Sequence, residues 1–459
     1  MRNLDSIFDP KSIAVIGASR EPNKIGNVIT KNFIDGGYAG KVYPINPKAD
    51  EVLGMKCYPS VRDVPGKIDS AVIAIPAPFV PSALRECGEK GIRGVVVISG
   101  GFSEVGNVAL ERQLVEVARK YNLNVIGPNC MGILNPAARV DSIFLPIYKL
   151  GRPRVGDIGF ISQSGAVGGC IVDLVARSGL GVSKFVSYGN AAVIDETDLL
   201  EYLAHDKRTR VIVVYLEGVK RGREFLKIAG GVTKIKPVIV LKAGTTEKGA
   251  IAAKSHTGSL AGSYAAYQAV FRQSKIIEAD NLDDLFNFSK IFDQPLCTGD
   301  RIAVITNGGG TGVLAADSIV ENGMELAEFG EETKKELAKK IPSYASVGNP
   351  LDLVGDADAA RYEMAINAVM NDNNVDLLAV VVLFQTAGVD SRVVPVIVDA
   401  SNKRKKPIVV ISTGGEYTEM HRRILDSYGV PTYASPSSAM RAVKKFIEYG
   451  KFRGKRGRG

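Results

Sequence analysis

The chain has 459 residues, 45% hydrophobic and 23% charged, enough for about three ordinary soluble domains at ~150 residues each. No apolar run approaches the ~18 residues of a membrane helix. The start, MRNLDSIFDPKSIAVIG, lacks a basic region followed by an apolar one, so a cytoplasmic protein without a secretory signal is expected. Five scattered cysteines (57, 87, 130, 170 and 297) include no C-x-x-C pair, which argues against a disulfide framework and a zinc site. The net charge is +9, but the closing KFRGKRGRG carries five positive charges. Without it the balance is +4, and no aromatic-basic platform for nucleic acid remains.

In chain order, apolar β-branched runs alternate with helical patterns, the signature of an α/β protein. SIAVIG is followed by the helical IGNVITKNFIDGG, then by strand-like KVYPIN, SAVIAIP and GVVVIS, the helical NVALERQLVEVARKY, and LNVIGP. The Gly/Pro-rich LPIYKLGRPRVGD (145–157) reads as a linker and sets a first, Rossmann-like domain over 1–148. DIGFIS, GVSKFVS, RVIVVYLEG and KPVIVLKAG make a second domain over 149–295, closed by the break DQPLCTGD. A third, over 296–450, holds RIAVITNGGGTGV, VDLLAVVVLF and KPIVVIS, and 451–459 is a basic tail. Strands of this apolar character imply parallel sheets covered on both faces, with ligands bound beyond the carboxyl ends of the strands.

In the first domain, SIAVIGAS runs through REPNK into IGNVIT, a strand, a glycine turn and a helix start that suit a phosphate. The spacing is not G-x-G-x-x-G. Asn46, Pro47 and Lys48 stand where an NAD site would carry an acid, so NADP or coenzyme A fits better than NAD, with a ligand-free structural half as the alternative. Small-residue loops at 75–79, 99–106 and 127–132 lie at the same expected edge and together suggest a groove for an extended ligand.

The second domain offers three strand ends. Gln163, Ser164 and Gly165 precede a helix, with Ser164 a suitable N-cap and the helix start an anion site. RVIVVYLEG ends in Glu217, a carboxylate that needs a partner if buried. KPVIVLKAG leads into KAGTTEKGAIAAKSHTGSLAG and His256, one of only three histidines. Glu217 could hold one ring nitrogen of His256 and leave the other as a nucleophile; a surface or capping histidine is the competing reading. No G-x-S-x-G elbow or metal-ligand cluster is present.

At SHTGSLAG, ISQSGAVGG, GPNCMG and ITNGGGTGVLAAD the sequence resembles the α subunit of NDP-forming acyl-CoA synthetases, the archaeal ADP-forming acetyl-CoA synthetase type, within the succinyl-CoA synthetase superfamily. The resemblance covers essentially the whole chain. It implies a Rossmann-like coenzyme A domain followed by two flavodoxin-like domains with parallel sheets. It implies that His256 is phosphorylated, that Glu217 orients it, and that Gln163, Ser164 and Gly165 hold the phosphoryl group. Coenzyme A would be lined by Gly17, Ala18, Ser19, Lys24, Gly26, Asn46, Pro47, Lys48, Ile75, Pro76, Ala77, Pro78, Ser99, Gly100, Gly101, Phe102, Pro128, Asn129 and Cys130. The third domain would supply a second phosphate-facing helix, assigned to the turn LFQTAGVDS with Thr386, Ala387 and Gly388; NGGGTG and VGDADAA compete with it. The resemblance also implies acetyl-CoA and phosphate as ligands. No ATP-grasp module is seen, so ADP or ATP and Mg2+ are expected on a separate β subunit, in an α2β2 complex, with no metal on this chain. Alternatives within the superfamily are succinate, aryl or branched acids, or GDP; outside it, a non-catalytic coenzyme A or dinucleotide sensor.

Overall fold

The computed structural model describes residues 2–251, 263–343 and 345–454. They fall into two compact units, residues 1–177 with 181–278, and residues 178–180 with 279–459.

The first unit holds two large sheets and a two-stranded hairpin, Glu51–Val52 with Met55–Lys56. Strands β1 (Ser12–Ile16), β2 (Lys41–Ile45), β3 (Ser70–Ile73), β4 (Gly94–Val97) and β5 (Asn124–Ile126) pair in the order β2-β1-β3-β4-β5, all parallel. SIAVI and GVVV are buried at every position, because helices cover both faces of the sheet. Helix α1 (Ile25–Asp35) follows β1 and buries Ile29 and Phe33.

The second sheet contains β6 (Gly132–Asn135), β7 (Val140–Asp141), β8 (Arg154–Ser162), β9 (Gly181–Ser187), β10 (Val211–Leu216), β11 (Val238–Lys242) and β12 (Ile277–Ala279). Their order is β12-β11-β10-β8-β9-β6-β7. The central strands are parallel, as expected, but β6 runs antiparallel to β9 and β7 antiparallel to β6. Sequence patterning missed this pair. GILN and VD are too short to show a period, and NPAAR between them looks like an ordinary loop.

The antiparallel pair ties the first 148 residues into the second sheet. The chain leaves the first sheet at Ile126 and contributes two strands to the second before reaching 145. One continuous core then draws Phe8 and Phe33 together with Ile133, Ile161 and Val186. Phe8 stacks on Tyr202 of helix α3 (Glu196–His205), with ring centroids 5.1 Å apart. The stretch expected to be a linker is tied down at its start. Asn32, nearly buried, donates to the carbonyls of Ile143 (2.7 Å) and Leu145 (3.1 Å). Arg152 pairs with buried Asp141 at 2.6 Å and donates to the carbonyls of Leu145 and Leu150.

In the second unit, β13 (Arg301–Thr306), β14 (Glu325–Leu326), β15 (Leu351–Asp352), β16 (Leu377–Val381), β17 (Ile408–Ile411) and β18 (Thr432–Tyr433) form a parallel sheet. Its order is β14-β13-β16-β17-β18, with β15 also pairing with β13. Helix α4 (Gly309–Glu321) leaves β13 directly, and α5 (Val393–Asn402) comes after β16 and a longer loop.

Candidate active site

Helix α2 (Gly165–Ser178) begins after two intervening residues, Gln163 and Ser164, beyond the end of β8. Ser164 caps it: its Oγ accepts from the Val167 N–H at 3.4 Å, and its carbonyl accepts from the Ser162 hydroxyl at 2.7 Å. A helix start directs the N–H groups of its first turn, and the positive end of its dipole, out of the helix. Gly165 keeps that end free of a side chain.

Glu217 stands at the end of the neighbouring strand β10 and is only 7% exposed. Gln163 is what holds it there. The Gln163 Oε1 accepts from the backbone N–H of Glu217 at 2.8 Å and of Gly218 at 2.9 Å. Gln163, Ser164, Gly165 and Glu217 together line one cavity of about 500 Å3, which Asn190 and Lys220 also reach.

The surroundings of Glu217 are charged but buried. The ammonium of Lys242, at the end of β11, lies 4.7 Å from the Tyr267 ring centroid. Burial lowers the pKa of Lys242, and attraction to Glu217 works against that loss. Tyr188 is completely buried, and burial, helped by Glu196, Asp195 and Glu217, pushes its phenol far above the ordinary value. Glu196 is pushed up to about 8 by burial and by the neighbouring Asp195, so it is largely neutral at pH 7. His256 lies outside the described residues; the segment that carries it departs from β11 at Lys242.

The residues expected to meet coenzyme A do gather at the carboxyl edge of the first sheet, but they divide into two kinds. Lys24, Pro47, Lys48, Pro76, Pro78, Gly100 and Asn129 are exposed there. Others build the edge itself. Gly17 has φ +93°, and a Cβ on Gly26 would collide with the Gly17 backbone, so these two glycines let α1 start against the β1 turn. Asn46 donates to the Ala18 carbonyl at 2.7 Å, and the Ser99 hydroxyl donates to the Ile75 carbonyl at 2.5 Å. Ala18 and Phe102 are fully buried, and Phe102 belongs to the core between the sheet and its helices, with Ala77 beside it. That corrects the reading of Phe102 as a ligand contact: in SGGFSEVG its ring turns inward. Cys130 is buried and donates to the Val97 carbonyl at 3.3 Å, and burial pushes its thiol up to about 12, yet it borders the cavity.

Sequence reasoning missed the clamp around these loops. Glu104 accepts from the N–H of Gly101 (2.5 Å) and Phe102 (3.1 Å), and from Asn190 Nδ2 at 2.6 Å. Burial works to raise the Glu104 carboxyl, but these donors outweigh it and hold it below the ordinary value. Asn190 Nδ2 also meets Glu111 at 2.9 Å, while Lys220 Nζ donates to the carbonyls of Asn190 (2.7 Å) and Ala191 (3.1 Å). A charge two residues after Gly-Gly-Phe was the only available signal.

In the second unit, three glycine-rich strand ends meet. Asn307 accepts from the Leu383 N–H at 2.9 Å and donates to the Thr386 hydroxyl at 3.0 Å, and a Cβ on Gly388 would press on the carbonyl of Asp356 at 2.6 Å. No helix starts at Thr386, Ala387 and Gly388: α5 begins at Val393 with Arg392 before it. The helix that opens straight from a glycine run is α4, preceded by Gly308 with no side-chain cap. Of the two competing stretches, NGGGTG opens α4 with no side-chain cap, whereas VGDADAA opens a helix at Ala359 whose start the Asp358 carboxylate already caps.

Three family models match in succession: a CoA binding domain over 11–136, a succinyl-CoA ligase like flavodoxin domain over 155–292, and a Ligase-CoA domain over 302–453. The α subunit of the ADP-forming acetate–CoA ligase II of Pyrococcus furiosus is 41% identical over 456 residues, which are 98% of each chain. The chain belongs to the family of ADP-forming acetate–CoA ligase α subunits. The ADP-forming acetate–CoA ligase I of Archaeoglobus fulgidus is 43% identical over 454 residues, 98% of this chain but 64% of that longer relative. A solved structure of the dinucleotide-forming acetyl-coenzyme A synthetase 1 of Ca. Korarchaeum cryptofilum, in complex with phosphate and ADP, superposes with TM-score 0.92 at 42% identity. That match covers 99% of both chains. Among the described residues, no helix is long and apolar enough to cross a membrane.

Proposed function

We propose that the chain acts as the α subunit of an ADP-forming acyl-CoA synthetase that works through phosphohistidine at His256. A phosphate oxygen attacks the thioester carbon of acetyl-CoA, and the C–S bond breaks to give acetyl phosphate and the coenzyme A thiolate, which takes up a proton. The free ring nitrogen of His256 then attacks phosphorus. The bond from phosphorus to the acyl oxygen breaks, and acetate leaves. ADP finally takes the phosphoryl group from His256 and becomes ATP; every step is reversible.

The observation that carries this reading is the one cavity where the start of α2 meets the buried Glu217 beside the loops of the first sheet. Phosphoryl transfer asks mainly for positioning and positive dipoles, which Gln163, Ser164 and Gly165 provide. Glu217 would accept the N–H of one imidazole nitrogen and so set the tautomer. Lys24 and Lys48, exposed at the edge of the first sheet, suit the phosphates of coenzyme A. The start of α4 is the better second phosphate site, with Thr386 bonded to the Asn307 that precedes it and Gly388 packed against the Asp356 carbonyl.

Nucleotide and Mg2+ would bind a separate ATP-grasp β subunit in an α2β2 complex, in line with relatives named as α subunits and with others whose length exceeds this chain. The test is reconstitution with such a β subunit. Acetyl-CoA, ADP and phosphate should yield ATP and coenzyme A in equal amounts, and neither subunit alone should do so. Tight coenzyme A binding with no ATP formed, beside an active control pair, would contradict the reading.

A further inference from the structure

We infer that Phe144 and Leu145 form the acyl wall of the cavity and set the length of acyl chain it accepts; this rests on the synthetase reading above. Both side chains border the cavity and are only half-buried, Phe144 with part of its surface packed against the core. They are not loosely placed. Asn32 grips the carbonyls of Ile143 and Leu145, Arg152 donates to Leu145 at 2.8 Å, and the Phe144 N–H donates to the Met131 carbonyl at 3.2 Å. The backbone bonds thus hold an apolar surface open on a rigid strap, the arrangement of a pre-formed binding wall.

The wall adjoins the helix start. A Cβ on Gly165 would lie 3.6 Å from the Met131 Cβ, and a Cβ on Gly169 would lie 3.6 Å from Leu145 Cδ1. An acyl carbon within reach of a phosphate at Gly165 therefore has its tail directed along Met131, Leu145 and Phe144. The cavity, about 500 Å3, leaves space beyond a phosphate and a two-carbon acyl group.

A second carboxylate does not suit this wall. Burying a charge against apolar side chains is costly without a partner. Among the described residues that line the cavity, the one cation is Lys220, already donating to two carbonyls.

The experiment uses the full chain with its β partner and compares kcat/KM for acetyl-, butyryl-, hexanoyl- and succinyl-CoA. Butyryl-CoA should exceed succinyl-CoA at least tenfold. Phe144→Ala should raise the hexanoyl-to-acetyl ratio about tenfold, and Phe144→Trp should lower the same ratio about tenfold. Because each result is a ratio within one protein, partial loss of folded enzyme does not affect it. Unchanged ratios in both variants, or succinyl-CoA matching butyryl-CoA, would overturn the wall while ATP synthesis from acetyl-CoA upholds the synthetase. Failure of the wild type with every thioester would overturn both.

Discussion

Replacing Gly165 by aspartate should leave the fold intact and abolish ATP synthesis from acetyl-CoA. A Cβ at this position meets Met131 at 3.6 Å, an ordinary contact, so the side chain can be accommodated. Losing a glycine from the helix contributes about 0.5–1 kcal/mol, and an acid in the first turn about 0.3–1 kcal/mol more, both stabilising. The new carboxylate, however, takes the place of the phosphate and repels it. Two unit charges ~4 Å apart near a protein surface cost about 4 kcal/mol, and a phosphate dianion doubles the effect, so the expected loss in kcat/KM is on the order of 10^3-fold or more. Thermal unfolding separates the two effects: the melting temperature should hold or rise while activity disappears. Gly165→Ala, which adds no charge, should remain within about tenfold of wild type. Normal activity in the aspartate variant would mean that phosphate binds elsewhere.

His256→Asn should lose net turnover on the order of 10^4-fold or more, as when a covalent nucleophile is removed. The loss should be confined to one half of the reaction. Acetyl phosphate formation from acetyl-CoA and phosphate does not need the imidazole, so phosphate-dependent exchange of labelled coenzyme A into acetyl-CoA should continue. A variant that lost exchange as well would make His256 part of the thioester step. One that kept turnover within a few fold would remove it from the chemistry.

The central parallel strands of the three large sheets were legible because buried parallel strands must be continuous β-branched runs, as SIAVI, GVVV and LLAVV are. So was Glu217, since a carboxylate closing such a run is unusual enough to ask for a function. What holds Glu217 was not legible: Gln163 is 54 residues away, and its role depends on β8 and β10 being neighbours. The Glu104–Asn190 clamp spans 86 residues and was hidden for the same reason. Phe102 misled because a small-residue loop suggests ligand contact, whereas an aromatic ring in that loop gains more by entering the core, about 1.5–3 kcal/mol for full burial. In the second unit, three glycine-rich strand ends were equivalent as sequence. The uncapped start of α4 at Gly309, against the Asp358-capped helix at Ala359 and the start of α5 at Val393, tells them apart.

The central claim is that this chain carries the phosphoryl group on His256 between acyl phosphate and nucleotide. The most direct test labels the chain from both sides, once with γ-labelled ATP and the β subunit, and once with acetyl-CoA and labelled phosphate in the absence of nucleotide. Digestion should yield the same acid-labile, base-stable phosphopeptide from residues 242–262 in both cases, and none from His256→Asn. Label from only one side, label on another residue, or undiminished label in the variant would contradict the account.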